Sequence, residues 1–157
     1  MDEHTKTRRQ FCTHAISMAA LGGALSSILQ GCGSGNGLTS PSSINSLPIV
    51  SATDLNGGVV VTIDSSSPLA SVGGAALVQS PSALVLVART AQGSFTALSP
   101  VCTHQACTIT GYANQTFVCP CHGSQFSSTG QVISGPAFAP LTQFHTQFVN
   151  NVLTITA

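Results

Sequence analysis

A dense group of cysteines and histidines constrains this chain more than any other sequence feature. After residue 32 the sequence contains four cysteines and three histidines. All four cysteines and two of the histidines lie within residues 102–122, as CTHQAC, eleven further residues, and CPCH. The C-x-H and C-x-x-H spacings suit two loops that each present a thiolate and an imidazole to one centre. The sequence therefore predicts a metal or disulfide site built from two loops.

Three kinds of site could use these residues, and the spacing alone leaves all three open. A structural zinc ion takes four Cys or His ligands, which would leave Cys107 and Cys121 to form a disulfide in an exported protein. A pure disulfide scaffold would use the four cysteines and leave both histidines without a role. An iron–sulfur cluster with mixed cysteine and histidine ligation would account for the whole group.

The two motifs resemble the cluster-binding boxes of Rieske iron–sulfur proteins, the electron carriers of cytochrome bc and bf complexes. The resemblance covers residues 100–140 directly, and the flanking pattern is compatible with the Rieske fold over 49–157. It implies one [2Fe–2S] cluster, with Cys102 and Cys119 on one iron and His104 and His122 on the other. Because the oxidised cluster with two neutral imidazoles carries no net charge, its potential is expected in the range of about −150 to +300 mV.

The same resemblance implies a disulfide between Cys107 and Cys121 that ties the two ligand loops together. The segment GPAFAP, Gly135–Pro140, is similar to the proline loop that covers the cluster, with Gly135 and Pro136 at its start. Rieske domains of ring-hydroxylating oxygenases usually lack the cysteine pair and are followed by a catalytic domain. We therefore expect an electron carrier and not a hydroxylase.

Four positions concern docking and the tuning of the potential. Gln105 and Ala106 replace the usual Leu-Gly, whose leucine helps to shield the cluster and to dock at the quinol site. Ser124 matches the serine that donates a hydrogen bond to a bridging sulfide in this family. Phe126 replaces a tyrosine that donates to a ligand cysteine sulfur. Because donors aimed at sulfur favour the reduced cluster, the sequence predicts a lower potential than in tyrosine-containing respiratory members.

The N-terminus predicts export. The stretch TRRQF at 7–11 precedes a mildly apolar run at 15–29, which resembles a twin-arginine signal. The stretch LQGC at 29–32 resembles a lipoprotein processing box with Cys32 as the lipidated residue. An uncleaved anchor and plain cleavage are the alternatives. In each case the bulk of the protein would lie outside the cytoplasm, at the outer face of the cytoplasmic membrane or in the periplasm.

A second copy of the letters CTH lies inside this export segment. Cys12 and His14 have no other candidate ligand near them in the sequence. We interpret them as ordinary residues of a signal or anchor that occupies 1–31.

The rest of the chain predicts a tether followed by one all-β domain. Residues 32–48 are small and polar and contain two prolines, which is typical of a flexible linker. Residues 49–157 show no sustained helical period and should form a small antiparallel sandwich or barrel with a cluster-binding subdomain at 100–140. The predicted strands are 59–63, 75–78, 84–88 and 95–98, followed by a closing hairpin at 144–149 and 152–156 around Asn150–Asn151.

Charge is scarce and argues against nucleic-acid binding. Charged residues make up 5% of the chain, against about 25% in an average soluble protein. After residue 32 the charged side chains are Asp54, Asp64 and Arg89. Such a domain has no basic stripe to neutralise phosphates.

These observations together predict a one-electron carrier, a redox component that is not a catalyst on its own. The expected host is a membrane quinol-oxidising complex of the cytochrome bc kind, with a cytochrome b-like or other redox subunit and a cytochrome c-like acceptor as partners. The alternatives are the small Rieske subunit of an exported molybdenum oxidoreductase such as arsenite oxidase, or a stand-alone carrier. A zinc-stabilised binding module is the remote alternative.

Overall fold

The computed structural model describes residues 44–157, which form β-strands and no helix. This confirms the all-β prediction. The strands are β1 (Asn45–Ser46), β2 (Ile49–Ser51), β3 (Thr53–Leu55), β4 (Gly58–Thr62), β5 (Ala75–Gln79), β6 (Leu84–Ala91), β7 (Ser94–Leu98), β8 (Gly111–Ala113), β9 (Thr116–Val118), β10 (Gln125–Ser127), β11 (Val132–Ser134), β12 (Gln143–Val149) and β13 (Val152–Thr156). The export segment, Cys32 and most of the predicted tether lie outside the described residues.

Eight of the strands form one sheet that curls into a nearly closed barrel. Its order is β2-β5-β6-β7-β12-β13-β4-β3, so β2 and β3 are its two edges. A single residue, Ala52, separates these edge strands in the sequence, and this brings the two edges together. The Asp54 carboxylate on β3 accepts hydrogen bonds from the Ser82 amide at 3.1 Å and the Ser82 hydroxyl at 2.8 Å. Ser82 lies between β5 and β6, so these bonds cross the seam of the barrel.

Strands β5 and β6 are buried along both faces because each contributes to two hydrophobic cores. Leu77 and Leu86 belong to a core that also contains the site cysteines. Val78 and Val87, their neighbours in sequence, belong to the core inside the barrel. Successive side chains of a strand point to opposite faces, so a continuous apolar run serves both cores. The site is therefore packed directly on the barrel wall.

The C-terminal hairpin is present as predicted. Val149 of β12 pairs with Val152 of β13, so a two-residue turn joins the strands. Asn150 and Asn151 have φ values of 50° and 61°. Asparagine tolerates this left-handed region better than most residues, which is why it is common in such turns. His145 is exposed on β12.

The smaller sheet carries the site. Its five strands have the order β1-β8-β9-β10-β11. Three loops beside this sheet contain the motifs singled out above. They are 99–110 between β7 and β8, 119–124 between β9 and β10, and 135–142 between β11 and β12. Within the described part of the chain, no helix is long and apolar enough to cross a membrane.

Candidate metal centre

The first loop is closed at its base by backbone pairing. Val101 and Thr108 form an isolated antiparallel bridge. The Cys102 amide donates to the Cys107 carbonyl at 2.9 Å, and the Ala106 amide donates to the Cys102 carbonyl at 2.9 Å. Ala106 has a φ of 56°, which lets the chain reverse inside this short loop. The loop buries Cys102 and leaves His104 partly exposed.

The second loop has a similar construction. The Cys119 amide donates to the Ser124 carbonyl at 2.8 Å, and the Gly123 amide donates to the Cys119 carbonyl at 3.0 Å. Gly123 has a φ of 70°, a conformation that glycine adopts without a steric cost. Cys119 is buried and His122 is exposed. Each loop thus buries one thiol and holds one imidazole nearer the surface.

A disulfide between Cys107 and Cys121 joins the two loops, as predicted. Its Cα atoms are 6.5 Å apart. Cys102 and Cys119 are free and buried. The Sγ atoms of Cys107, Cys119 and Cys121 lie within 4.8 Å of one another, but only Cys119 of these three keeps a thiol. A site of three cysteines is therefore excluded, and so is a scaffold that uses all four cysteines in disulfides.

The two histidines face each other across the loops. Their ring centroids are 4.8 Å apart and the rings are nearly perpendicular, at 85°. The Nδ1 atom of His104 is buried and has no hydrogen-bond partner among the described residues. Buried polar atoms are nearly always paired, so an unpaired ring nitrogen fits an atom whose lone pair binds a metal. The donor set of two thiols and two imidazoles suits iron–sulfur chemistry.

Burial raises the pKa of the Cys119 thiol, and a hydrogen bond with the Cys102 side chain raises this pKa further. The two thiols are therefore close enough to interact. Thiolates are the form that binds metal. A cluster would accordingly have to displace protons from this apolar pocket when it binds.

The third loop covers the second and contacts the first. Gly135 has a φ of 92°, and a Cβ atom at this position would lie 2.6 Å from the Cα atom of Ser124. The Ala137 amide donates to the Ser124 hydroxyl oxygen at 3.1 Å. The Thr103 hydroxyl donates to the Ala139 carbonyl at 2.7 Å. Pro136, beside Gly135, is exposed.

The remaining predicted positions lie beneath the loops or at their turns. Ser124 and Phe126 are both fully buried. Phe126 shares its hydrophobic core with Cys102 and Cys119. Gln105 is exposed at the turn of the first loop. The sequence analysis did not single out Thr103. Its position between Cys102 and His104 could have indicated a role at the site, which is its bond to the third loop.

A family model for the Rieske [2Fe-2S] domain matches residues 50–145, more than half of the chain. The chain belongs to the Rieske [2Fe–2S] family. Its cofactor is accordingly a [2Fe–2S] cluster, as the two boxes predicted, and this removes the zinc-stabilised module from consideration. The buried, unpaired His104 Nδ1 and the two free thiols fit that cofactor.

Curated relatives of this Rieske chain include cytochrome b6-f complex iron–sulfur subunits. The one from Chlorobaculum thiosulfatiphilum is 45% identical over 53 residues, which are 33% of this chain and 29% of the relative. The one from Trichodesmium erythraeum is 43% identical over 61 residues, 38% of this chain and 34% of the relative. The match thus spans about a third of the curated relatives' length.

Among solved structures, a naphthalene 1,2-dioxygenase variant shares the fold. The TM-score is 0.52 and the identity is 20%, over 62% of this chain and 25% of the dioxygenase chain. At this identity the likeness concerns the fold alone.

Proposed function

We propose that this Rieske protein passes single electrons through a cluster held by two cysteines and two histidines. Cys102 and Cys119 bind one iron, and His104 and His122 bind the other. The observation that carries this assignment is the buried Nδ1 atom of His104, which has no partner among the described residues. The assignment is also supported by the disulfide, which removes the other two cysteines of the motifs from the set of possible ligands.

The bound cluster supplies a one-electron redox couple. The chain's own residues determine which side of the cluster is shielded from water and which side a partner protein can approach. Cys102 and Cys119 lie in the apolar core, where water is excluded from the thiolate side. His122 is exposed and His104 is partly exposed. The imidazole side is therefore where a partner can approach closely, and electrons enter and leave there.

Ligand replacement tests this assignment. The full-length variants His104→Ser and His122→Ser should lose the mixed-ligand paramagnetic signal after reduction with dithionite, because a serine oxygen is a poor substitute for imidazole at iron. His145→Ser is the matched control, since His145 is exposed on β12, and it should keep the native spectrum. An unchanged spectrum in either ligand variant would remove that histidine from the ligand set.

The host we propose is a membrane quinol-oxidising complex of the cytochrome bc kind. The relatives named cytochrome b6-f complex iron–sulfur subunit support this proposal. The partners would be a cytochrome b-like subunit on the quinol side and a cytochrome c-like acceptor. Purification of the full chain from membranes should bring a cytochrome b-like protein with it. Co-purification of a molybdenum subunit instead would identify the other host class.

We further propose that the domain is exported and tethered through its N-terminus. Adjacent arginines at 8–9 and the LQGC stretch ending at Cys32 support this proposal. The native protein should then begin at an acylated Cys32, and Cys32→Ala should lose the acyl mass and release the domain or stop its processing. An unprocessed N-terminus on the membrane-bound protein would favour the uncleaved anchor.

A further inference from the structure

The third loop, residues 135–142, is called the covering loop below. It presents one large apolar side chain to solvent. Phe138 is 82% exposed, more than any other large hydrophobic residue in the described part of the chain. Its two neighbours are held in place. The Ala137 amide is bonded to buried Ser124, and the Ala139 carbonyl is bonded to Thr103. These two bonds fix the backbone on both sides of the exposed ring.

The two anchors connect Phe138 to both ligand loops. Thr103 lies between Cys102 and His104, and Ser124 follows His122 by two residues. A contact made at Phe138 is therefore made one residue away from groups that are bonded to both ligand loops. At the turn of the first loop, where the family usually carries an apolar leucine, this chain has the exposed and polar Gln105. Of the three loops, the covering loop carries the most exposed large apolar side chain, that of Phe138.

The surface around these loops has no formal charge. From residue 90 to residue 157 the sequence contains no Asp, Glu, Lys or Arg. A partner that met this surface with charged groups would bury them without compensation, which is costly. A partner surface without charged groups therefore suits this region best, and an apolar cavity suits the exposed Phe138 ring. Association cannot be steered by opposite charge over long distances either.

We infer that Phe138 is the anchor of a short-lived docking contact, in which it enters an apolar cavity of the redox partner protein. This inference rests on the proposed function and names how its partner is recognised. A phenylalanine ring buries at most about 150–250 Å², whereas a stable interface needs about 800 Å² on each side. Such a contact suits a transient redox encounter better than a permanent dimer of two copies.

A lipid surface is a poorer occupant than a protein. Proteins that lie on membranes usually combine apolar side chains with Lys and Arg, which attract anionic headgroups. In the described part of the chain the only such residue is Arg89, which is buried. The chain also contains no tryptophan to sit at the headgroup level.

The kinetic test uses the full chain in membranes of the organism that produces it. The membranes are oxidised with ferricyanide and then given duroquinol, and the return of the reduced Rieske signal is followed by freeze-quench paramagnetic resonance. Phe138→Ala should slow this return by about tenfold or more, as expected for a truncated anchor residue. Phe138→Leu should restore most of the rate. Leu55→Ala is the matched control, because Leu55 is 58% exposed on β3 of the barrel.

Two further measurements separate docking from damage to the site. Reduction potentials from voltammetry should be equal in the native protein and all three variants. The native rate should change by less than about twofold between roughly 0.01 and 0.5 M salt, since no charged pair is formed. A Phe138→Ala variant that is re-reduced at the native rate would overturn the inference, and so would a steep dependence on salt.

A cross-linking test does not depend on electron transfer. The full chain with Phe138→p-benzoylphenylalanine is irradiated in the same membranes, and Leu55→p-benzoylphenylalanine is the control. We expect an adduct with a second redox protein at position 138 alone. Adducts only with lipid, or only with another copy of this chain, would overturn the inference. If the adduct forms but duroquinol does not reduce the native protein, the proposed quinol-oxidising host is wrong while the docking contact stands.

Discussion

The Ala137 amide donates a hydrogen bond of 3.1 Å to the hydroxyl oxygen of Ser124, a residue with no exposed surface. A hydroxyl that accepts one bond still has its own hydrogen to donate. The covering loop thereby restricts the direction of the hydroxyl that the Rieske resemblance assigns to a bridging sulfide. Ser124 holds the covering loop, and we expect the same hydroxyl to adjust the potential of the redox site.

Removal of this hydroxyl should affect the potential and the stability together. Ser124→Ala should lower the reduction potential by roughly 40–90 mV, if one such bond is worth about 1–2 kcal/mol more in the reduced state. It should also leave the buried Ala137 amide unpaired and cost about 1–3 kcal/mol of stability. Voltammetry and thermal unfolding measure the two effects.

Thr103→Val is the control for Ser124→Ala, because it also releases the covering loop but retains the Ser124 hydroxyl. It should speed loss of the cluster with a smaller change in potential. Equal potential shifts in the two variants would mean that loop release, and not the lost donor, alters the potential.

The reverse change can be made at Phe126. Phe126→Tyr restores the hydroxyl that tyrosine-containing respiratory members donate to a ligand sulfur, and it should raise the potential by roughly 40–90 mV. Phe126 is fully buried in the core that contains Cys102 and Cys119, so a ring hydroxyl is introduced into the same apolar pocket. Voltammetry on the intact protein decides the matter. A potential equal to that of the native protein, with the cluster present, would show that this position does not tune it.

The covering loop can approach the second ligand loop because residue 135 is a glycine. Gly135→Ala should displace the loop, since the new Cβ would lie 2.6 Å from the Ser124 Cα atom and the φ of 92° is unfavourable for alanine. Gly93→Ala is the matched control. Gly93 also has a positive φ, of 73°, but no atom lies within 4 Å of the position of the new Cβ atom. Gly93→Ala therefore carries only the backbone cost of about 1–3 kcal/mol.

The two glycine variants therefore differ in a steric clash at the site. Gly135→Ala should be less stable than Gly93→Ala by thermal unfolding, and it alone should lose its visible absorption on storage. Equal stability and equal cluster retention in the two variants would contradict the close packing of the covering loop.

The disulfide should matter more for the lifetime of the cluster than for its assembly. The bond closes a loop with a sequence separation of 14, and a loop of this length is worth about 3 kcal/mol in the chain-entropy estimate. The double variant Cys107→Ser/Cys121→Ser should still assemble some cluster but bleach faster, because the two ligand loops can then separate. The bleaching rate in air, followed by visible absorption, tests this. If the cluster of the double variant lasts as long as the native one, the backbone bonds within each loop are enough to hold the two ligand loops at the cluster.

The sequence by itself determined the features that depend on nearby residues. The C-x-H and C-x-x-H spacings identified two loops because each loop is closed by bonds between close neighbours, such as the Gly123 amide with the Cys119 carbonyl. Apolar runs predicted β5 and β6, and Asn150–Asn151 predicted the final hairpin, since turn preference is a local property. The pairing of Cys107 with Cys121 came from the family resemblance and not from spacing.

Tertiary structure alone decided the contacts between segments that are distant in the chain. Thr103 and Ala139 are 36 residues apart and Ser124 and Ala137 are 13 apart, and the covering loop takes part in these bonds through backbone groups that nearly all residue types possess. The short edge strands β2 and β3 carry too few residues to show a period, so the closure of the barrel was not predicted either. Phe138 shows the same limit, because a phenylalanine in a sequence is expected to be buried. In the folded protein its two neighbours are bonded to two other loops, and its ring is 82% exposed.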